Sequence, residues 1–275
     1  LAIAALFYIQ KEQEPIPFNK IYQFPSEGPK ARKAWDTQRL VNPETGMMPK
    51  NIRKKELAFT KDLPSDINNS NLNWVAAGPF NVGGRTRAVS MDILDENHLV
   101  AGGASGGIWT SADFGESWTK RTQSFQLHNV TCIDQDTRSG KENIWYHGTG
   151  ELTGSSASGG DAYFDGNGIY KSIDNGLTWD SIPFTSDNNA AGGFNIWDFI
   201  WNVALDPTNL EEDEMYAATY GSVHRSIDGG ENWTEELGGG NAYYNNVEVT
   251  STGVVYASLS SDGTDAGIWR SANGT

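Results

Sequence analysis

The chain has 275 residues, 37% of them hydrophobic, with 31 glycines, 10 tryptophans and a formal net charge of −15. The charge is uneven: residues 1–61 carry 11 Lys and Arg against 6 Asp and Glu, whereas residues 62–275 carry 9 against 29, so the larger part repels a phosphate backbone and nucleic acid is excluded as a partner. One cysteine, Cys132, rules out an intrachain disulfide framework, and no spacing among His98, His128, His147 and His224 suits zinc, so neither a metal nor a cofactor is expected.

Residues 1–10 (LAIAALFYIQ) are apolar and read as the hydrophobic part of a truncated signal peptide or anchor. Ten residues are too few to span a bilayer, so the expectation is export to the cell surface or medium with no stable membrane span in the mature protein. Residues 11–73 are polar, rich in proline and without sustained periodicity, which predicts an extended arm with at most short helices, one of them around 30–40. Its basic run Arg53, Lys54 and Lys55 reads as solvated.

From Trp74 the pattern changes to short alternating runs separated by glycine-rich turns, and strands are expected at 87–94, 99–103, 107–111 and 118–123. A second set follows at 130–134, 144–148, 168–172 and 179–182. A third group spans 197–237, where the acidic run 211–214 reads as a solvated turn, and a fourth begins near Tyr244. Cys132 falls in an expected inner strand and reads as a small buried residue.

Between the third and fourth run of each set stands the pattern S-x-D-x-G-x-x-W. It occurs as Ser111, Asp113, Gly115 and Trp118, as Ser172, Asp174, Gly176 and Trp179, and as Ser226, Asp228, Gly230 and Trp233, with a partial copy from Gly267. Ser and Asp side chains hydrogen-bond the backbone of a tight turn, Gly tolerates positive φ, and a closing Trp seeks burial, so the repeat is structural and implies no substrate.

This repeat resembles the Asp-box, or BNR repeat, of sialidases, sortilin, glycoside hydrolase family 74 and a photosystem II assembly propeller. The resemblance implies an all-β fold: a β-propeller of four-stranded antiparallel blades, about four of them within 74–275, the last truncated and the ring incomplete. The stretch 74–85, W-x-x-x-G-P-x-N-x-G-G-R, is similar to the opening of exported sortilin-like or glycosyl-hydrolase-like propellers of Bacteroidetes.

In such propellers the loops between blades and those between second and third strands share one face, opposite the Asp-box turns. That face is expected to hold Arg85 and Arg87, Ala104 and Ser105, His128 and Asn129, and Glu151 with its Gly/Ser insertion. It should also hold Trp197, Asp198, Trp201, Tyr220 and Asp262. Arginine, acid and aromatic residues around a concavity suit a carbohydrate or peptide ligand; for Trp197 and Trp201 burial is the competing reading. Asp161, Asp165 and Asn167 form an acidic loop that matches a calcium site only by composition.

Glu151 is the one weak catalytic candidate. The sialidase F/Y-R-I-P motif is absent, and where glycoside hydrolase family 74 carries its catalytic Asp this chain has Ala104. Binding without catalysis is therefore the first expectation, and a glycoside hydrolase of the same fold is the alternative.

Overall fold

The computed structural model describes residues 42, 49, 51–63, 84–127, 129–151, 164–186, 195–238, 244–260 and 265–274. The expected leader 1–10, the expected helix at 30–40, the opening at 74–83, His128, the insertion 152–163 with Asp161, and Asp262 lie outside them. Within the arm, α1 (Ile52–Thr60) is a nine-residue helix carrying the basic run, and its Lys54 Nζ stands 5.1 Å from the centre of the Phe125 ring.

The rest is β. Blade one is β1 (Thr86–Met91), β2 (Leu99–Gly103), β3 (Gly107–Ser111) and β4 (Thr119–Lys120), paired in that order. Blade two is β5 (Val130–Gln135), β6 (Trp145–Thr149), β7 (Ile169–Ser172) and β8 (Asp180–Ser181). Blade three is β9 (Ile200–Leu205), β10 (Met215–Thr219), β11 (Ser222–Ser226) and β12 (Thr234–Gly238), and β13 (Asn245–Val249), β14 (Val255–Leu259) and β15 (Gly267–Ser271) form a three-stranded fourth sheet. Every pairing between these strands is antiparallel, and the first strands pack in sequence, β1 on β5, β5 on β9, β9 on β13. The fold is a β-propeller.

β1 stops at Met91, before the expected limit of 94. Asp92 Oδ1 accepts the Leu94 N–H at 2.9 Å and turns the chain there.

Three apolar cores lie between sheets. Val100 and Ile108 of blade one meet Val130, Trp145, Tyr170 and Trp179 of blade two. Tyr146, Ile169 and Ile182 of blade two meet Ile200, Val203, Met215 and Trp233 of blade three. Ala204, Tyr216 and Ala218, on the other face of blade three, meet Val247, Val255 and Leu259. Alternation with period two thus sends successive residues of β10 into different cores, and the strand is buried throughout. The sheets approach closely: a Cβ on Gly148 would stand 2.5 Å from Ile200 Cγ2.

The three complete S-x-D-x-G-x-x-W turns share one geometry. In the second, Ser172 Oγ donates to Asp174 Oδ1 at 2.8 Å and accepts the Gly176 N–H at 2.9 Å. Asp174 accepts the Thr178 N–H at 2.8 Å and its hydroxyl at 2.5 Å, and Trp179 Nε1 donates to Gly176 O at 3.0 Å. The first and third copies repeat this with Ser117 and Asn232 in the place of Thr178. Hydrogen bonds from Ser117 hold the Asp113 carboxyl down to about 2.

Trp179 and Trp233 pack on the blade before their own. Trp179 and Trp233 are 5% and 9% exposed in the cores just described, whereas Trp118, in the first described blade, is 38% exposed. The turns also make polar contacts backwards. Asn175 Nδ2 donates to Asp92 Oδ2 at 2.7 Å, and His98 Nε2 lies 3.0 Å from Asn175 O.

The run 211–214 departs from a solvated turn in its second half. Glu211 and Glu212 are exposed, but Glu214 is buried and accepts from Arg225 Nε at 2.7 Å and Asn209 Nδ2 at 2.7 Å. Asp213 pairs with Lys141 and accepts from Arg138 Nη2 at 2.8 Å. Arg138, itself buried, binds Asp136 through Nε at 2.8 Å and spends Nη1 on the carbonyls of Asn209 and Glu212. The acidic run is the clasp between blades two and three, because a buried guanidinium needs acceptors on every side.

His147 stacks on Tyr170 with ring centres 4.9 Å apart and is 4% exposed. Burial pushes it down to about 4, against an ordinary value of 6.5. It stays neutral in the fold and becomes charged when unfolded, so its contribution is complete above pH 6.5 and is lost as pH falls from 6.5 towards 4. Burial lowers His224 in the same sense. Thermal unfolding should therefore shift downward between pH 6.5 and 4.5, and His147→Gln should flatten part of that slope. Asp174→Ala should cost about 1 kcal/mol, the worth of a typical internal hydrogen bond, measured by chemical denaturation.

Candidate functional site

Antiparallel order places the starts of β1, β5, β9 and β13 and the ends of β2, β6 and β10 at one end of the sheets. The S-x-D-x-G-x-x-W turns stand at the other end. All the described candidate ligand residues lie at or beside the first end.

Arg85, Arg87 and Glu151 come together there, although 66 residues separate Arg85 from Glu151. Arg85 precedes β1 and its main-chain carbonyl accepts the Ala104 N–H at 2.9 Å, which fixes it beside the β2–β3 loop. Glu151 follows β6 and pairs through its backbone with Phe164, at 2.8 and 2.9 Å. The Arg85 guanidinium takes both oxygens of Glu151, Nη1 donating to Oε1 at 2.8 Å and Nη2 to Oε2. Arg87 Nη1 stands 3.6 Å from Oε1, outside hydrogen-bond reach. The Glu151 side chain is 1% exposed, while Arg85 and Arg87 are 34% and 33% exposed. A buried carboxylate is thus covered by two guanidinium groups that face solvent.

The aromatic candidates separate. Trp197 is 7% exposed, its ring 4.7 Å from His224 and 5.2 Å from Trp233. It closes the core between blades two and three, in keeping with burial as the competing reading of this residue. Asp198 is 8% exposed; its Oδ2 accepts the Asn195 N–H at 3.2 Å and its carbonyl accepts the Gly166 N–H at 2.9 Å. It shapes the loop, since a Cβ on Gly150, at φ 93°, would collide with that carbonyl. Trp201 is half-buried, 5.1 Å from the ring of Tyr244, which is 51% exposed. Tyr220 is half-buried and its N–H donates to Phe199 O at 3.2 Å.

Asn167 is 9% exposed and its Nδ2 donates to the Tyr170 hydroxyl at 3.3 Å. Among the described residues no three His, Cys, Asp or Glu side chains are grouped to hold a metal. Cys132 is buried and its thiol is pushed up to about 12 by burial. No helix among the described residues is long and apolar enough to cross a membrane.

Two features escaped sequence reasoning. One is Tyr244, which adjoins Trp201 from the next sheet. The other is an extra residue in three first strands. In β1 the register passes from Thr86↔Gly103 to Ala88↔Gly102, in β5 from Val130↔Thr149 to Cys132↔Gly148, and in β9 from Ile200↔Thr219 to Asn202↔Ala218. Arg87, Thr131 and Trp201 are therefore bulged residues at equivalent positions. Bulges re-aim side chains and interrupt the ladder. Aligning the blades on their turns would have revealed the equivalence, but not the bulge. A depression of about 580 Å³ at the opposite end, lined in part by Met91, Ile93, Leu94 and Asp134, contains none of the candidates.

No family model and no curated relative matches the chain. Among solved structures, it is similar to a GH74 enzyme of Niastella koreensis at 19% identity and a TM-score of 0.45, covering 67% of this chain and 28% of that one. It is also similar to YCF48 bound to D1 peptide at 17% and 0.40, covering 64% and 48%. An auxiliary nutrient binding protein from Bacteroides thetaiotaomicron aligns at 13% and 0.44, covering 64% and 36%. The chain spans less than half the length of each of these structures.

The geometry makes unequal demands on the two arginines. Arg85→Gln should destabilise the fold by about 3 kcal/mol, because it strips the two-point partner from a buried carboxylate. Arg87→Gln should change stability by less than about 1 kcal/mol, the range of a partly exposed ion pair. Urea denaturation of both variants checks the contrast.

Proposed function

We propose that residues 74–275 are Asp-box blades of an exported propeller of the sortilin-like or glycosyl-hydrolase-like kind, preceded by a leader at 1–10 and an arm at 11–73. In this reading the blades bind a glycan or polypeptide at the Arg85, Arg87 and Glu151 end, without cleaving it. The turn geometry repeated at Ser111, Ser172 and Ser226 supports the Asp-box assignment, and the apolar run 1–10 supports export.

The observation that carries the binding reading is the state of Glu151. Glycosidic cleavage by two carboxylates needs one to donate a proton and the other to attack or to activate water. Glu151 is buried, and both its oxygens already accept from Arg85. Held as an acceptor and 1% exposed, it is closed off from a glycosidic bond by the guanidinium that covers it. Ala104, buried where a catalytic carboxylate would be needed, supplies none. What remains exposed is a pair of guanidinium groups, with Trp201 and Tyr244 at the same end, a set suited to holding a ligand by charge and flat contact.

The test is retention of the full chain on a panel of immobilised neutral and acidic polysaccharides and peptides, with product analysis of each. Retention without released fragments is expected. Reducing ends that accumulate with the wild type and disappear in a folded Glu151→Gln variant would establish the glycoside hydrolase instead.

A further inference from the structure

The binding end carries more positive charge than its own structure requires. Neutralising Glu151 takes one guanidinium, and Arg85 does this with two parallel contacts. Arg87 adds a second positive charge at 3.6 Å, donates no hydrogen bond among the described residues, and is one-third exposed. A cation whose one ion-pair partner among the described residues is already held at both oxygens by Arg85 stands out in a region with 9 basic and 29 acidic residues.

The backbone presents this residue in a particular way. Arg87 is the bulged residue of β1, so its side chain is released from the alternation that would otherwise assign it to one face of the sheet. β9 has the same bulge, and the residue there is Trp201. The Trp201 indole lies against the half-exposed Tyr244, and its Nε1 is buried with no acceptor among the described residues. A buried donor without a partner is costly.

We propose that this end recognises an acidic polysaccharide, with a uronate carboxylate on the fork of Arg87 and a sugar face on the Trp201 and Tyr244 side. The proposal rests on the binding reading above and specifies its ligand. A guanidinium fork matches a carboxylate in two-point geometry. β5 separates β1 from β9, so a ligand that reaches both bulged residues must extend past an intervening blade, as a polymer does. A uronate polymer repeats along one chain both groups the site offers to bind, an apolar ring face and a carboxylate. An acidic peptide supplies the second without the first.

The experiment is affinity electrophoresis of the full chain in gels containing polygalacturonate, fully methyl-esterified polygalacturonate or poly-glutamate. The wild type should be retarded by polygalacturonate, and methyl esterification should abolish the effect. Arg87→Gln should weaken retardation roughly tenfold or more, the value of a hydrogen bond to a charged group, and Arg87→Lys should restore it only in part. Thermal unfolding of both variants should match the wild type, which separates loss of binding from loss of fold. Equal retardation by acid and ester, or an unchanged Arg87→Gln variant, would overturn the carboxylate role while leaving the binding reading intact. Preference for poly-glutamate would overturn the glycan. Retardation by none of the three, with ligands still retained on the neutral panel, would overturn the acidic specificity alone; no retention on any matrix would remove the binding reading as well.

Discussion

Blades two and three are apolar on both faces, and that requirement organises everything else. A single layer of four short strands cannot cover both of its own surfaces, so each blade is stable only between neighbours. Blade three shows the requirement most fully, because alternate residues of β10 enter the core shared with blade two and the core shared with β13–β15. Trp179 and Trp233 extend the dependence outward, each closing the core shared with the blade before its own; Trp118, in the first described blade, is 38% exposed.

Polar contacts follow the apolar ones rather than replacing them. The ion cluster around Arg138 and the Asp92–Asn175 bond both cross between blades at the end that carries the turns. At the opposite end Glu151 joins blade two to the start of blade one, and the Thr131 hydroxyl, the Gly166 N–H and Asn245 Nδ2 donate to the carbonyls of Ile200, Asp198 and Thr219 across the following seams. Both ends of the sheets are therefore tied by internal bonds, and the end opposite the turns also exposes guanidinium and aromatic surface. Loops held on a rigid frame are where binding residues accumulate, and here the frame decides which loops are free.

How much was legible in the sequence depends on how local each feature is. The three turns could be read because every bond in them joins residues at most four apart, so Ser, Asp, Gly and Trp appear together on the page. Strand order followed from the turns. Arg85 and Glu151 were each recognisable as polar residues at the expected end, but the ion pair between them crosses 66 residues and needed coordinates. Trp197 and Trp201, four apart, looked alike in the sequence; register separates them, since Trp197 falls in a 3-10 turn over the core and Trp201 on the bulge. The acidic run at 211–214 looked solvated because its partners, Arg138 and Lys141, lie far away in sequence. The bulges left no trace at all, because one extra residue in a strand of six is visible only against the strand it pairs with.

Those bulges also bear on how such a protein can change. A residue inside a ladder is constrained by its partner across the strand and by the face on which it must pack. The residue at 87, 131 or 201 escapes the first constraint, and the three blades fill it with a cation, a hydroxyl and an indole on the same backbone. The same backbone feature thus serves different ends in different blades: Thr131 spends its hydroxyl on the Ile200 carbonyl of the next blade, Trp201 packs on the core beside β13–β15, and Arg87 alone of the three turns a charge toward solvent.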